Sequence, residues 1–444
     1  MIQLAQILFI LSVLVILHEF GHYAAAKMFK VRVEKFYLFM DVGFSIIKKK
    51  IGETEWGIGW LPLGGYVKLS GMIDESMDTE QLKQEPQPWE FRSKPAWQRL
   101  IIMLGGIIVN ILLALLIFTT LYSTVGQKYI STEVVQKNGL AFGEVGKSVG
   151  FRNGDKIVAV DGNPVNVKFN RLTIDVLLSN KITLERDGKK VDMSLTDENI
   201  GKILGMEGKS FMSPRTTFSV DSISADSEAK KAGLLKGDKI VAVDGIKVRY
   251  FDELNSLLNN RANDSIELKI DRNSTEVVVK TKLNKDSKIG FMPKIALIDE
   301  EFEVVNKLSL GESVSAAAKE SWQLLVYNVK QFKLILKPKT GAYKQVKSPI
   351  GIARMLPETW DWEFVWGFTA LFSIALAFMN LLPIPGLDGG HALFTIAEMV
   401  TGKTLSEKAM GYVQTGGMIF LLSLMALTFG KDIYQWVAET LLAK

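Results

Sequence analysis

The chain contains no cysteine, which excludes disulfides, thiolate metal sites and cysteine nucleophiles. Histidine is scarce: His18, His22 and His391 are the only three in 444 residues. The net charge of +5 is too mild for a chain of this length to imply a nucleic-acid partner, and no basic-aromatic patch adds to it. Charge is also missing from the first 17 residues, MIQLAQILFILSVLVIL. Ala24-Ala25-Ala26 resembles a signal cleavage site, but the first residues lack Lys and Arg and the apolar run is long for a signal. The segment reads as a membrane span.

What is present is apolar sequence gathered at the two ends, with charge in the middle. Four stretches reach the roughly 20 apolar residues that cross a bilayer: about 4–26, 99–124, 364–384 and 411–430. Lys27, Lys30, Arg32 and Lys35 follow the first span, and Lys94 and Arg99 precede the second. That bias puts the 30–97 loop in the cytoplasm and both termini outside it. The long 127–363 region then lies outside the cytoplasm too.

That region holds an internal repeat. Residues 150–162 read GFRNGDKIVAVDG and residues 233–245 read GLLKGDKIVAVDG. Each has a Gly-Asp turn, an alternating strand and an Asp-Gly hairpin signal. A repeat of about 80 residues is too long for a solenoid unit, so it reads as domain duplication. Gly-Leu-x-x-Gly-Asp-x-Ile followed by a strand and Asp-Gly resembles the PDZ core. PDZ domains bind extended peptides at a sheet edge. Spacers or steric shields are the equal alternative. Beyond the repeats, 309–336 reads as an amphipathic helix with Trp322, Leu325, Val329 and Phe332 on one face, packing on the β modules.

The first span ends in HEFGH, residues 18–22. Residues four apart share a helix face, so His18 and His22 can hold one metal ion. Glu19 stands beside them as a carboxylate able to take a proton from water. Zinc lowers the pKa of bound water and polarises a scissile carbonyl. Ionisable groups at membrane depth are costly and functional by default, which favours this reading over a chance match.

A catalytic zinc site commonly takes three protein ligands. NLLPIPGLDGGHALF, 380–394, offers Asp388 where Pro383 and Pro385 break the third span. Broken backbone at membrane depth lines protein or a water-filled cavity. Taken alone, the segment reads as a simple turn at the membrane surface. His391 follows Asp388 by three residues and reads either as a group supporting the site or as a surface residue.

HEFGH in the first span, Gly106-x-x-x-Asn110 in the second, NLLPIPGLDGG in the third and PDZ-like inserts between them occur in that order. In this combination the chain resembles the site-2 protease family of intramembrane zinc metalloproteases, nearest the bacterial regulator-of-sigma-E type. The resemblance covers nearly the whole chain. It implies that His18, His22 and Asp388 bind zinc, that Glu19 is the general base, and that Asn380 and Asn110 lie near the substrate, Asn110 equally a helix-helix hydrogen bonder. The fold implied is a polytopic α-helical membrane protein of about four spans with two β-rich PDZ-like domains between the second and third. WLPLGGYVKLSG, 60–71, also matches and suggests a hairpin dipping into the membrane. Phe91, Lys94, Pro95, Trp97 and Arg99 match the usual approach to the second span. Gly105-Gly106 stands where many relatives have Gly-Pro, and Met72 where Glu commonly follows Gly71.

The parts are then 1–29 (span with HExxH), 30–97 (cytoplasmic loop with the hairpin), 98–124 (span), 127–206 and 213–298 (PDZ-like), 301–363 (amphipathic linker), 364–385 (span), 386–410 (LDGG and a cytoplasmic helix) and 411–430 (span). The resemblance implies a bacterial inner-membrane hydrolase of a stress response, with the PDZ-like pair in the periplasm. Its substrates would be single-pass membrane proteins, such as a trimmed anti-sigma factor, or remnant signal peptides. Two rivals are a silent PDZ scaffold, against which Glu19 speaks, and a metal transporter, against which the PDZ-like pair and the single HExxH helix speak.

Overall fold

A computed structural model describes residues 2–62, 64–72, 85–165, 168–206, 211–296, 303–403 and 407–442. The chain divides into two compact units. The first comprises Met1–Gln127, Lys307–Phe332 and Gln345–Lys444; the second comprises Lys128–Asn306 and Lys333–Lys344.

In the first unit, helix α1 (Ile2–Met28) leads into strands β1 (Val33–Leu38), β2 (Met40–Ile51), β3 (Thr54–Leu61) and β4 (Tyr66–Leu69). Helices α2 (Ala96–Thr124), α3 (Trp362–Leu381), α4 (Asp388–Thr401) and α5 (Glu407–Leu442) follow. α1, α2, α3 and the Ala409–Gln435 part of α5 are long and apolar enough to cross a membrane. The α1–α2 crossing is set by glycine. A Cβ on Gly105 would lie 2.5 Å from the Gly21 carbonyl oxygen, so the two backbones touch. Ile7, Ile10 and Leu14 of α1 pack with Leu356 and Val365. Ala114, Ile117 and Phe118 of α2 pack with Ala370 and Ile374 of α3.

α3 ends at Leu381, short of the expected 384–385, because Pro383 and Pro385 cannot continue a helix. α5 instead runs past 430 through Lys431 and Asp432. Those charges are satisfied inside the unit. Lys431 Nζ donates to the Val346 carbonyl at 2.6 Å, and Asp432 Oδ2 accepts from the Ser348 backbone N–H at 2.7 Å.

The expected hairpin at 60–71 lies one step earlier. β2 and β3 form the antiparallel hairpin, whereas β4 pairs with β1, giving the order β2-β3-β1-β4. β3 is already bonded on both sides by β2 and β1, so β4 cannot pair with it and adds to the edge of β1 instead. Gly65 in the connection sits too close to Tyr37 and Val15 for a side chain.

The amphipathic helix is present as Leu310–Ile335, and its expected face is only partly turned inward. Ala317 is fully buried against α2 and α3, while Trp322 and Val329 are exposed. Leu325 packs on the same cluster and Phe332 meets Phe378 of α3, while small residues let helices approach closely in a membrane, which puts Ala317 deepest.

The second unit bears the duplication. One sheet orders Lys189–Met193, Ile182–Arg186, Lys156–Val160 and Asn163–Pro164; the other orders Thr275–Lys282, Ser265–Arg272, Lys239–Val243 and Ile246–Lys247. Both carry a bulge at the same place, after Ile157 and after Ile240. The Asp-Gly turns place Asp161 and Asp244 at φ 49° and 48°, each followed by Gly at 79°, the positive-φ pair that a tight hairpin demands. The boundaries expected at 297–298 and 301 fall outside the described residues.

Each module also buries one aspartate under one arginine. Arg186 grips Asp155 through two bonds of 2.7 Å; Arg272 grips Asp238 through bonds of 2.8 and 2.7 Å. Burial pushes the Asp238 carboxyl up, but Arg272 and the Leu235 N–H outweigh this and hold it below the ordinary Asp value. A carboxyl lowered on folding stabilises above its unfolded pKa of about 3.9 and loses that contribution as pH falls. The second module therefore loosens as pH falls below about 4. Arg272→Ala leaves the carboxylate buried alone and costs about 3 kcal/mol. Hydrogen exchange of the Ser265–Arg272 amides in the full chain checks both.

Candidate metal centre

The site lies in the first unit, where α1, α2 and the loop between α3 and α4 meet. His18 and His22 lie one turn apart on α1 and are both 7% exposed. Their Nε2 atoms are 3.3 Å apart. Asp388 Oδ2 is 3.2 Å from each of them. Asp388 reaches this point because the proline-broken stretch after Leu381 folds back and restarts as α4, with Asp388 in its first turn. Gly389 and Gly390 allow the fold-back; a Cβ on either would lie 2.6 Å from a carbonyl oxygen, of Leu381 or of Ile384.

Hydrogen bonds define which ring nitrogens carry protons. His22 Nδ1 is 2.9 Å from the Ile102 carbonyl, which can only accept. Nδ1 is therefore N–H and Nε2 offers a lone pair. His18 Nδ1 is 3.1 Å from the Asn110 amide, and Asn380 Nδ2 is 3.1 Å from His18 Nε2. His18 can face the cluster beside His22 with a free lone pair only if its Nε2 is bare, which puts the ring proton on Nδ1. Its Nδ1–H then needs an acceptor. Asn110 Oδ1 is buried and otherwise without a partner, and the amide orientation that turns it toward the ring satisfies both groups.

Three lone-pair atoms thus face one another, and Asp388 Oδ2 has no hydrogen-bond partner. Such a set is repulsive unless a cation sits among the three. Ligands about 2.0–2.1 Å from a tetrahedral ion stand about 3.3 Å apart, which is the spacing found. Two imidazoles and a carboxylate suit zinc. Among the described residues this is the one cluster of its kind.

The cluster opens onto a cavity of about 480 Å³. His18, Glu19, His22, Asn380, Asp388 and His391 line it, among apolar residues of α1, α3, α5 and β4. Asn110 is fully buried and is not in the cavity wall. It meets His18 from behind, and its own carbonyl accepts from Ser373 Oγ at 2.7 Å. Arg99 pairs with Glu398, tying the start of α2 to α4. Gln414 was not singled out by sequence reasoning; it is in the cavity wall, bonded to Gly386 and His391. A lone amide in a membrane span was the available signal.

Comparison with known proteins is consistent with this centre. The profile of peptidase family M50 matches residues 6–424. A Vibrio cholerae protein named "Putative zinc metalloprotease" is 29% identical, covering 95% of this chain and 96% of its own length. The regulator of sigma-E protease RseP of Escherichia coli is 28% identical over 97% of this chain and 98% of its own. A protein of the same name from Salmonella typhimurium is 26% identical over the same shares. The chain belongs to peptidase family M50, a family of peptidases, over nearly its whole length.

Gly106 leaves the space that both imidazoles occupy. A methyl group there would lie 2.5 Å from His18 Cε1 and 2.6 Å from His22 Nε2. Gly106→Ala is expected to cut bound metal at least tenfold, whereas Gly416→Ala, with open space around it, leaves it unchanged. Metal analysis of the purified proteins decides this.

Proposed function

We propose that the chain is a zinc-dependent intramembrane endopeptidase, with His18, His22 and Asp388 as the metal ligands and Glu19 as the general base. The observation that carries this is the convergence of three lone pairs beside Glu19 in a cavity walled by helices of membrane length. The zinc named in the Vibrio relative supports the choice of metal. Zinc bound there would polarise the attacked carbonyl and make water acidic enough to be deprotonated near neutral pH.

The chain's own residues do the rest. Glu19 accepts a proton from the attacking water and returns it to the amide nitrogen as the C–N bond breaks. Asn380, in the cavity wall, holds a substrate backbone amide or carbonyl that has lost its helical partner. Asn110 positions His18 rather than touching substrate, since it lies buried behind the ring. A peptide bond inside a helix is shielded by its own hydrogen bonds, so the segment must unwind. β4 lies at the end of its sheet and contributes Tyr66, Val67 and Leu69 to the cavity. Its edge suits addition of an extended substrate strand. The exposed Val42, Phe44, Ile46 and Ile47 of β2 suit contact with lipid.

The expected boundaries carry into this reading. The two modules, 127–206 and 213–298, are PDZ-like domains outside the cytoplasm of a bacterial inner-membrane protein. They act as a size filter or as readers of a new C-terminus. The relatives named for sigma-E regulation support an anti-sigma factor as one substrate class; remnant signal peptides are another.

Glu19→Gln is expected to bind zinc fully yet lose at least 10²-fold in cleavage of single-span fusion proteins, read by mass spectrometry. Undiminished cleavage by that variant removes Glu19 as the base. Asp388→Ala should insert normally and bind little zinc; full occupancy would show that the third ligand is another residue. Deleting 127–298 should let untrimmed substrates be cut, and unchanged selectivity would end the filter role.

A further inference from the structure

His391 is the histidine that the proposed metal site does not use, and its surroundings determine its protonation. It sits one turn after Asp388 on α4, on the same helix face, and lines the same cavity. Its partner is Gln414 of α5, whose Nε2 is 2.7 Å from His391 Nε2. The other end of that amide is fixed independently. Gln414 Oε1 lies 3.2 Å from the Gly386 backbone nitrogen, which can only donate. The oxygen must therefore face Gly386 and the NH2 must face His391. An NH2 group donates, so His391 Nε2 is the acceptor. The ring proton is on Nδ1, and among the described residues Nδ1 has no hydrogen-bond partner.

The amide has little freedom to reverse. Gly386 has φ 91°, and a Cβ there would lie 3.3 Å from the Met418 nitrogen. Gly417 packs against the Pro385 backbone so closely that it tolerates no side chain. The 385–386 loop and α5 thus hold Gln414 in register with both partners. The resulting imidazole is neutral, and protonating Nε2 would set one N–H against another.

We propose that His391, held as its Nδ1–H tautomer by Gln414, donates a hydrogen bond to the carbonyl oxygen of a substrate peptide bond in this cavity. His391 touches substrate and Gln414 is a positioning residue. This rests on the proteolytic reading above. The carbonyl oxygen gains negative charge as water adds, and a donor already oriented toward it stabilises that charge without reorganising. No proton is transferred: the N–H stays on the ring and the bond to oxygen strengthens.

Three histidines make the test direct. In zinc-loaded, 15N-histidine-labelled protein, NMR should show His391 protonated at Nδ1 and bare at Nε2. Gln414→Glu, which keeps an oxygen for Gly386 but presents a second acceptor to the ring, should put a proton on Nε2. A wild-type His391 protonated only at Nε2 overturns the proposal whatever the cleavage assay gives. The second arm uses a single-span fusion protein cut by the wild type. Asn places its amide nitrogen where Nδ1 lies, and Gln places it where Nε2 lies. His391→Asn should stay within about threefold of wild type, while His391→Ala and His391→Gln should lose roughly 10²-fold in kcat at unchanged KM and full zinc content. Equal rates for wild type and His391→Ala, or equal losses in the Asn and Ala variants, overturn the donor role. A wild type that cuts no fusion protein in the panel brings down the proteolytic reading and this one with it, a failure visible before any variant is compared.

Discussion

Mutual repulsion among three lone pairs is the constraint around which the first unit is built. His18 Nε2, His22 Nε2 and Asp388 Oδ2 are 3.2–3.3 Å apart without a proton to share. Such a set forms only where surrounding structure forces it, and each member has its own restraint. Ile102 fixes one ring and Asn110 the other, while the start of α4 fixes the carboxylate. These restraints come from α2 and from the start of α4, each far in sequence from the other and from α1, so the site exists only in the folded chain.

Glycine and proline give that convergence its dimensions. Gly21 and Gly105 bring two helices into backbone contact, and Gly106 leaves the space that both imidazoles fill. The prolines after α3 turn the chain back, and the two glycines after Asp388 let it pack on itself. A bulkier residue at any of these positions would move a ligand by more than coordination tolerates. Gly105 and Gly106 lie within α2 without interrupting it, so the helix is continuous through the site.

Much of this was legible in the sequence, for a physical reason. Cost makes signals: imidazoles and carboxylates in an apolar segment, or an exact repeat of nine residues, have few competing explanations. The four spans, the Leu310–Ile335 helix and the duplicated strands were readable on those grounds. What could not be read were pairings decided by available edges and small residues. β4 joins β1 because β3 has no free edge, and Ala317 rather than Trp322 faces the helices. Arg186 and Arg272, which secure the two modules, carry no local signature, since their partners lie 31 and 34 residues earlier. Gln414 escaped notice because its two partners meet only after the chain turns at Pro385 and Gly386.

The duplicated strands bear on how the chain is made. Lys156–Val160 and Lys239–Val243 have the same sequence, so before folding either could fill the other's place in its sheet. Misassembly between like modules is a recognised failure of repeat chains. Synthesis order works against it. Every strand of the first sheet is complete by Met193, and Lys239 is 46 residues further on. At about 5–20 residues per second that gap lasts several seconds, long compared with the folding of a small domain. The spacing between the two copies acts as a clock, letting one sheet close before its double is available.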